Sequence, residues 1–324
     1  MAVILPHHNL VATTRQSFLK SIAQKRPITR QIVLIGPDHF SANQTQIHTA
    51  TTDWNLSSGQ VEFKDLFLDF PINNQLLKGD HAIYNPLVDL KTYFPEAKIY
   101  PILIGQKVNQ KTLDRFLPLI VKRCSVDCLL VASVDFSHYL PATLAEVHDA
   151  FTIRSLHNFE YDNILNAEVD SPQSLYLTSK FSELKHSRHF SLFAHTNSGF
   201  IAHNPDVETT THVFASFSLG KFTPLHLKTS VATPGELLRK DHQNTLGDRF
   251  FYGVDEFHTD SSLDLITATI ESVNFKSVAF LPFKNNLFVR GQDKTNFIKA
   301  HFQALSDNSQ KDYFWGKLNY EIEN

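Results

Sequence analysis

The sequence predicts an α/β protein, with a three-layer domain over residues 1–220 built on a mainly parallel or mixed sheet and a smaller C-terminal α+β unit at 246–324. Three observations predict it. Short aliphatic runs alternate with helical stretches through the first two hundred residues, the pattern of βαβ units packed around a buried sheet. Polar residues fall repeatedly just past the strand-like runs. Beyond Gly220 the texture changes to Thr, Lys and Pro with little periodicity.

In chain order, MAVIL at 1–5 reads as the first strand, 13–25 as a helix, and QIVLI at 31–35 as a second strand ending at Gly36-Pro37. KIYPILI at 98–104 reads as another strand. Leu113, Phe116, Leu117 and Ile120 recur at helical spacing within 110–123, as one buried helix face requires. CLLVAS at 128–133 is the most strand-like run and stops at Asp135, Phe136, Ser137 and His138. Helices are expected at 142–158 and 172–186, and strands at 189–196 and 211–219. A linker is expected at 221–245. The C-terminal unit then offers FFYGV as a strand, a helical or strand-like stretch at 262–275, SVAFLPF as a strand and a helix near 293–305.

Composition excludes several classes. The chain of 324 residues is 42% hydrophobic and 19% charged, ordinary for a globular protein. A formal charge of −3 with interspersed signs gives no field to attract nucleic acid or an anionic membrane, so neither is expected as a partner. No apolar run is long enough for a membrane span. Residues 1–12 lack a basic leader and a small-residue cleavage site. Cys124 and Cys128 are the two cysteines; at that spacing in a strand entry they read as neither a disulfide framework nor a zinc pair, and a reducing, cytoplasmic setting is expected.

His7, Asp38 with His39, and Asp135 with His138 each follow a predicted strand end. In open α/β sheets those ends form the ligand crevice, so the sequence predicts that His7, His39, Asp135 and His138 line one pocket. With 17 His in the chain, one histidine alone is most cheaply a capped or solvated loop residue; the coincidence of three carries the expectation. Neutral imidazoles suit zinc, copper and iron, which makes His7 and His39 candidate metal ligands, with His8 a competitor for the first position. His138 beside Asp135 fits a general acid or base. Without a metal, the same residues could hold a phosphate or carboxylate.

At these residues a family resemblance appears. PHH at 6–8, IGPDH at 35–39, DHAIYNPLVDLKTYFPEAKIYPILIG at 80–105, VASVDFSHY at 131–139 and TNSG at 196–199 resemble, in order, the motifs of the Memo family, also called AmmeMemoRadiSam system protein B. The resemblance implies a fold similar to class III extradiol dioxygenases, where two early histidines and a later acidic residue hold iron and a later histidine is the acid/base. It matches His7 and His39 to the early ligands and His138 to the acid/base. It matches the family's third ligand to Phe200, and a phenyl ring cannot ligate, so iron, copper or zinc is expected to bind weakly or not at all unless His195, His203 or Asp206 substitutes. The family's helix-opening Cys-Gly stands here as Asp170-Ser171-Pro172.

Three functions remain open at this stage. The first is a metal-dependent oxidoreductase or dioxygenase-like enzyme, and the second a non-catalytic module that binds a small molecule, an anion or a phosphopeptide. The third, implied by the family name, is a component of a modification system with AMMECR1-like and radical SAM proteins.

Overall fold

A computed structural model describes residues 1–41, 44–56, 59–61, 70–140, 142–204 and 208–223, together with the strand backbones at 251–254, 265–271 and 276–282. The four central strands are β1 (Ala2–Leu5), β2 (Gln31–Pro37), β6 (Lys98–Ile104) and β7 (Cys128–Ser133). They lie in the order β6-β2-β7-β1, all parallel. Apart from half-buried Gln31 and Lys98, their residues are buried, because helices cover both faces. Val33, Ile35, Leu130 and Ala132 join one core, while Ile32, Leu34, Leu129 and Val131 join the other. That two-residue alternation is the pleat of a strand buried on both sides.

Antiparallel strands extend both margins. β3 (Ile47–Thr49) adds to β6, and β10 (Thr209–Ser218) adds to β1. β10 also pairs with β9 (His189–Asn197) and, at its start, with β8 (His138–Leu140). The result is an eight-stranded mixed sheet. β4 (Trp54–Leu56) and β5 (Gly59–Val61) form a separate hairpin pair.

One face carries α1 (Ala12–Lys25) and α3 (His81–Tyr93), with Phe18, Leu19, Ile83 and Leu87 in its core. The other carries α4 (Gln110–Arg123), α5 (Ala142–Asn158) and α7 (Pro172–Leu184), with Phe116, Ile120, Leu156 and Phe181 in the opposite core. The short helices α2 (Asn74–Gly79), α6 (Tyr161–Leu165) and α8 (Ser198–Ile201) fill the connections. The α/β class and the mixed sheet stand as the sequence predicts.

The C-terminal stretch forms a three-stranded antiparallel sheet, β11 (Phe251–Val254), β12 (Leu265–Glu271) and β13 (Lys276–Pro282). The ambiguous stretch at 262–275 therefore contains a strand. The expected helix near 293–305 and the linker beyond Thr223 lie outside the described residues. Among the described residues, no helix is long and apolar enough to cross a membrane.

The reading of the cysteines needs correction. Cys124 and Cys128 form a disulfide, with Cα atoms 5.2 Å apart. Cys124 caps α4 and Cys128 opens β7, and the turn between them, closed by Cys128 N–H donating to Ser125 O, folds the chain back within bridging distance. Sequence spacing alone does not reveal that reversal.

Candidate functional site

The strand ends of β1, β2 and β7 open into a cavity of about 460 Å³ lined by His7, His8, His39, His81, Asp135, His138, Glu168 and Asp170, among others. The expected convergence of His7, His39, Asp135 and His138 is thus present. Asp38 turns away from it. Its Oδ1 accepts the N–H groups of Phe40 and Ser41, and its Oδ2 lies 3.3 Å from His48 Nδ1.

His7 sits at the bottom and is held at every polar atom. Its N–H donates to Asp135 Oδ1, and its carbonyl accepts from Asn85 Nδ2. Its Nδ1 lies 3.2 Å from Ser133 Oγ. Buried Arg15 pairs with Asp89 across α1 and α3 and donates to the carbonyls of Pro6 and His8, which fixes the backbone on either side of His7. Two carboxylate oxygens face the remaining Nε2, Asp135 Oδ2 at 3.3 Å and Asp170 Oδ2 at 3.2 Å. Three acceptor-type atoms at such separations repel one another unless a proton or a cation lies among them.

The titration behaviour follows from that crowding. Burial pushes His7 down to about 3, and the neighbouring imidazoles add to the effect against the attraction of Asp135, so it is neutral near pH 7. Burial also opposes ionisation of Asp135, but His7, His138, His212 and His8 outweigh it and hold this carboxyl below its usual range. Burial and the nearby Asp135 charge raise Asp170 well above the usual range. Asp170 Oδ1 is buried with no partner in ordinary hydrogen-bond geometry.

His39 is oriented by Asp80, which the sequence reading quoted in a motif without a role. Asp80 Oδ1 lies 2.9 Å from His39 Nδ1, and its Oδ2 accepts the His39 N–H. That contact leaves His39 Nε2 toward the cavity, 4.0 Å from Asp170 Oδ2. A carboxylate behind a histidine fixes the tautomer and raises its basicity as a ligand. His81, the first residue of α3, stacks on His39 with ring centroids 4.2 Å apart, and His7 meets both rings edge-on. Burial and the His39 charge lower the His81 pKa.

Two donor sets are close enough to share an ion. The coordinating atoms of His7, His39 and His81 all lie within 4.8 Å of one another, as do those of His7, Asp135 and Asp170. Neutral imidazole nitrogens with a carboxylate oxygen are the donors that iron, copper and zinc accept, and the crowding of His7 Nε2 by Asp135 Oδ2 and Asp170 Oδ2 at 3.3 and 3.2 Å fits a site that takes a cation.

The expected third position is corrected. Phe200 lies on α8, 41% exposed, and is not among the residues lining the cavity. His195 is engaged by Asp149 at 2.6 Å. His203 is an exposed residue after α8, and Asp206 lies outside the described residues. Asp170, just ahead of the Ser171 cap of α7, stands beside His7 instead. The signal for it was its alignment with the family's helix-opening Cys-Gly.

His138 faces the cavity from β8, and Asp149 braces its segment. Asp149 Oδ1 accepts the Ser137 N–H and Oγ–H, and its Oδ2 pairs with His195. His8 stacks on buried His212, with centroids 5.2 Å apart.

The model of the family described as Memo-like protein matches residues 1–208. The chain belongs to the Memo family. A MEMO1 family protein of Aquifex aeolicus (strain VF5) is 25% identical over 173 residues, 50% of this chain and 63% of the relative. A MEMO1 family protein of Thermoplasma volcanium is 21% identical over 224 residues, 64% of this chain and 81% of the relative. The match thus spans less than two thirds of the Aquifex protein. Among solved structures, the uncharacterized protein JW3007 from Escherichia coli K12 aligns with a TM-score of 0.42 and 10% identity, covering 68% of this chain and 99% of that one.

Proposed function

We propose that this Memo family chain is a metal-dependent, dioxygenase-like oxidoreductase whose ion is held by His7 and His39 with Asp170, and with His81 as a neighbouring donor. The observation that carries this reading is the convergence of the His7, His39 and His81 nitrogens within 4.8 Å, with Asp170 Oδ2 at 3.2 Å from His7 Nε2 and 4.0 Å from His39 Nε2. A bound iron or copper would supply Lewis acidity and electron transfer to a substrate in the open part of the cavity.

The chain's own residues prepare that chemistry. Ser133 and Asp80 occupy the Nδ1 atoms of His7 and His39, leaving both Nε2 atoms for the ion. His138 would exchange a proton with bound substrate through its imidazole, and ionised Asp135 would stabilise the charged form. With Asp170 and His81 at hand, the weak binding expected from Phe200 gives way to firm binding in this proposal.

A binding module for an anion or phosphopeptide is the second reading. Five imidazoles along the cavity favour it. Neutral His7 and the ionised carboxylate of Asp135 disfavour it, since the first does not attract an anion and the second repels one at the deepest point. Association with AMMECR1-like and radical SAM proteins rests on family resemblance, while the disulfide removes the cysteine argument for a cytoplasmic setting.

The test is metal analysis of untagged protein, followed by titration of chelator-treated protein with Fe(II), Cu(II) and Zn(II), alongside His39→Ala. Stoichiometric binding abolished by the substitution supports the proposal. Weak binding insensitive to it, with saturable phosphopeptide binding, favours the second reading.

A further inference from the structure

A second cavity of about 520 Å³ lies at the opposite edge of the sheet, between the C-terminal ends of α1 and α7 and the turn that enters β7. Lys25, Arg26 and Lys185 line it, and no acidic side chain is among its lining residues. Phe181 forms part of the wall, and Val126 and Leu219, 85% and 76% exposed, stand at its mouth.

Two of the cations are held in place. Lys185 Nζ donates to the carbonyls of Val121 and Cys124 at the end of α4, which leaves one of its three N–H groups uncommitted by those bonds. Arg26 Nη2 donates to Val126 O at 2.7 Å, while its Nε is buried without a hydrogen-bond partner. The simplest role for such cations is to offset the negative ends of the helices finishing here. Each helix end amounts to roughly half a charge, so three full positive charges exceed that need. The excess meets an apolar wall in a space of drug-like size, within the roughly 300–1,000 Å³ of small-molecule sites.

We infer that this amino-edge cavity binds a small amphiphilic anion, a phosphate or carboxylate carried on an apolar or aromatic body. The acid group would meet Arg26, Lys185 and Lys25, and the body would cover Val126 and Leu219, with Phe181 behind them. Part of the ordering that binding demands is already present, because two of the cations are tied to backbone carbonyls. The site is separate from the histidine cavity and does not depend on a metal there.

The experiment titrates the full chain with phenyl phosphate, inorganic phosphate and phenol, followed by calorimetry and amide NMR. Phenyl phosphate is expected to saturate, to weaken as salt rises, and to move the amides of Val126 and Ser187 but not those of His39 and His138. Inorganic phosphate and phenol should each bind at least about tenfold more weakly, since each makes half of the contacts. Lys25→Gln combined with Arg26→Gln should weaken phenyl phosphate by about tenfold or more. No saturation by about 10 mM, shifts centred on His39 and His138, or an unchanged affinity in the double variant would each overturn the inference.

Discussion

At the carboxyl ends of the strands, α3 and α7 begin, and Asp80 and Asp170 stand at their first turns. At the amino ends, α1, α4 and α7 finish, and Lys25, Arg26 and Lys185 gather there. Helix polarity accounts for both collections, since acids are favoured near N-termini and bases near C-termini. The difference lies in what the connections add. Loops after β1, β2 and β7 bring imidazoles to the acidic edge, which turns a charge preference into a donor set for a cation. The basic edge receives apolar residues and a disulfide.

The comparison breaks most completely if the imidazoles are not metal donors. His39→Ala should lower divalent-metal affinity by more than about a hundredfold, exceeding the upper range for loss of an outer-sphere partner; a chelator-competition titration measures it.

The next effect concerns acid stability. Burial pushes His212 down to about 4, so the unfolded chain, titrating near 6.5, takes up a proton that the folded chain refuses. Stability is whole above about 6.5 and is lost as pH falls toward 4, by about 3 kcal/mol in total. His7 acts in the same sense, while Asp170, whose folded pKa is raised, contributes in the opposite one. Denaturant melts between pH 7 and 4 should show that His212→Gln has a shallower decline than the parent.

At the basic edge, the disulfide closes a short loop, so Cys124→Ser with Cys128→Ser should cost about 2 kcal/mol by the chain-entropy model. Urea unfolding with and without a thiol reductant measures this, and metal affinity should not change. The smallest effect sharpens the acidic edge. Asp80→Asn should weaken metal binding by about tenfold, with a shift of the His39 ring resonances as its independent mark.

Much of this was legible in the sequence, for a physical reason. β2, β6 and β7 are buried on both faces, so each appears as an uninterrupted apolar run. The strand-end rule then places His7, His39, Asp135 and His138 together. The edge strands β3, β4, β5 and β8 have three residues each, too few for a period to emerge. Asp80 and Asp170 escaped assignment because the packing of α3 and α7 on the sheet is what brings Asp80 behind His39 and Asp170 into the cavity. Phe200 was misplaced because motif order along the chain does not fix which side chain of a helix turn faces inward. The partnership of Arg15 with Asp89 joins residues 74 apart, and no local pattern announces it.

Asp80 Oδ1 accepts the Ala82 N–H that starts α3 as well as facing His39 Nδ1. One carboxylate thus serves a helix end and an imidazole, and the two services cannot be tuned apart. A substitution chosen to alter the basicity of His39 also loosens the first turn of α3, and fraying of that turn frees the His39 ring to rotate. The readiness of the site is therefore tied to the integrity of that turn, which burial of Asp80, Ala82 and Ile83 protects.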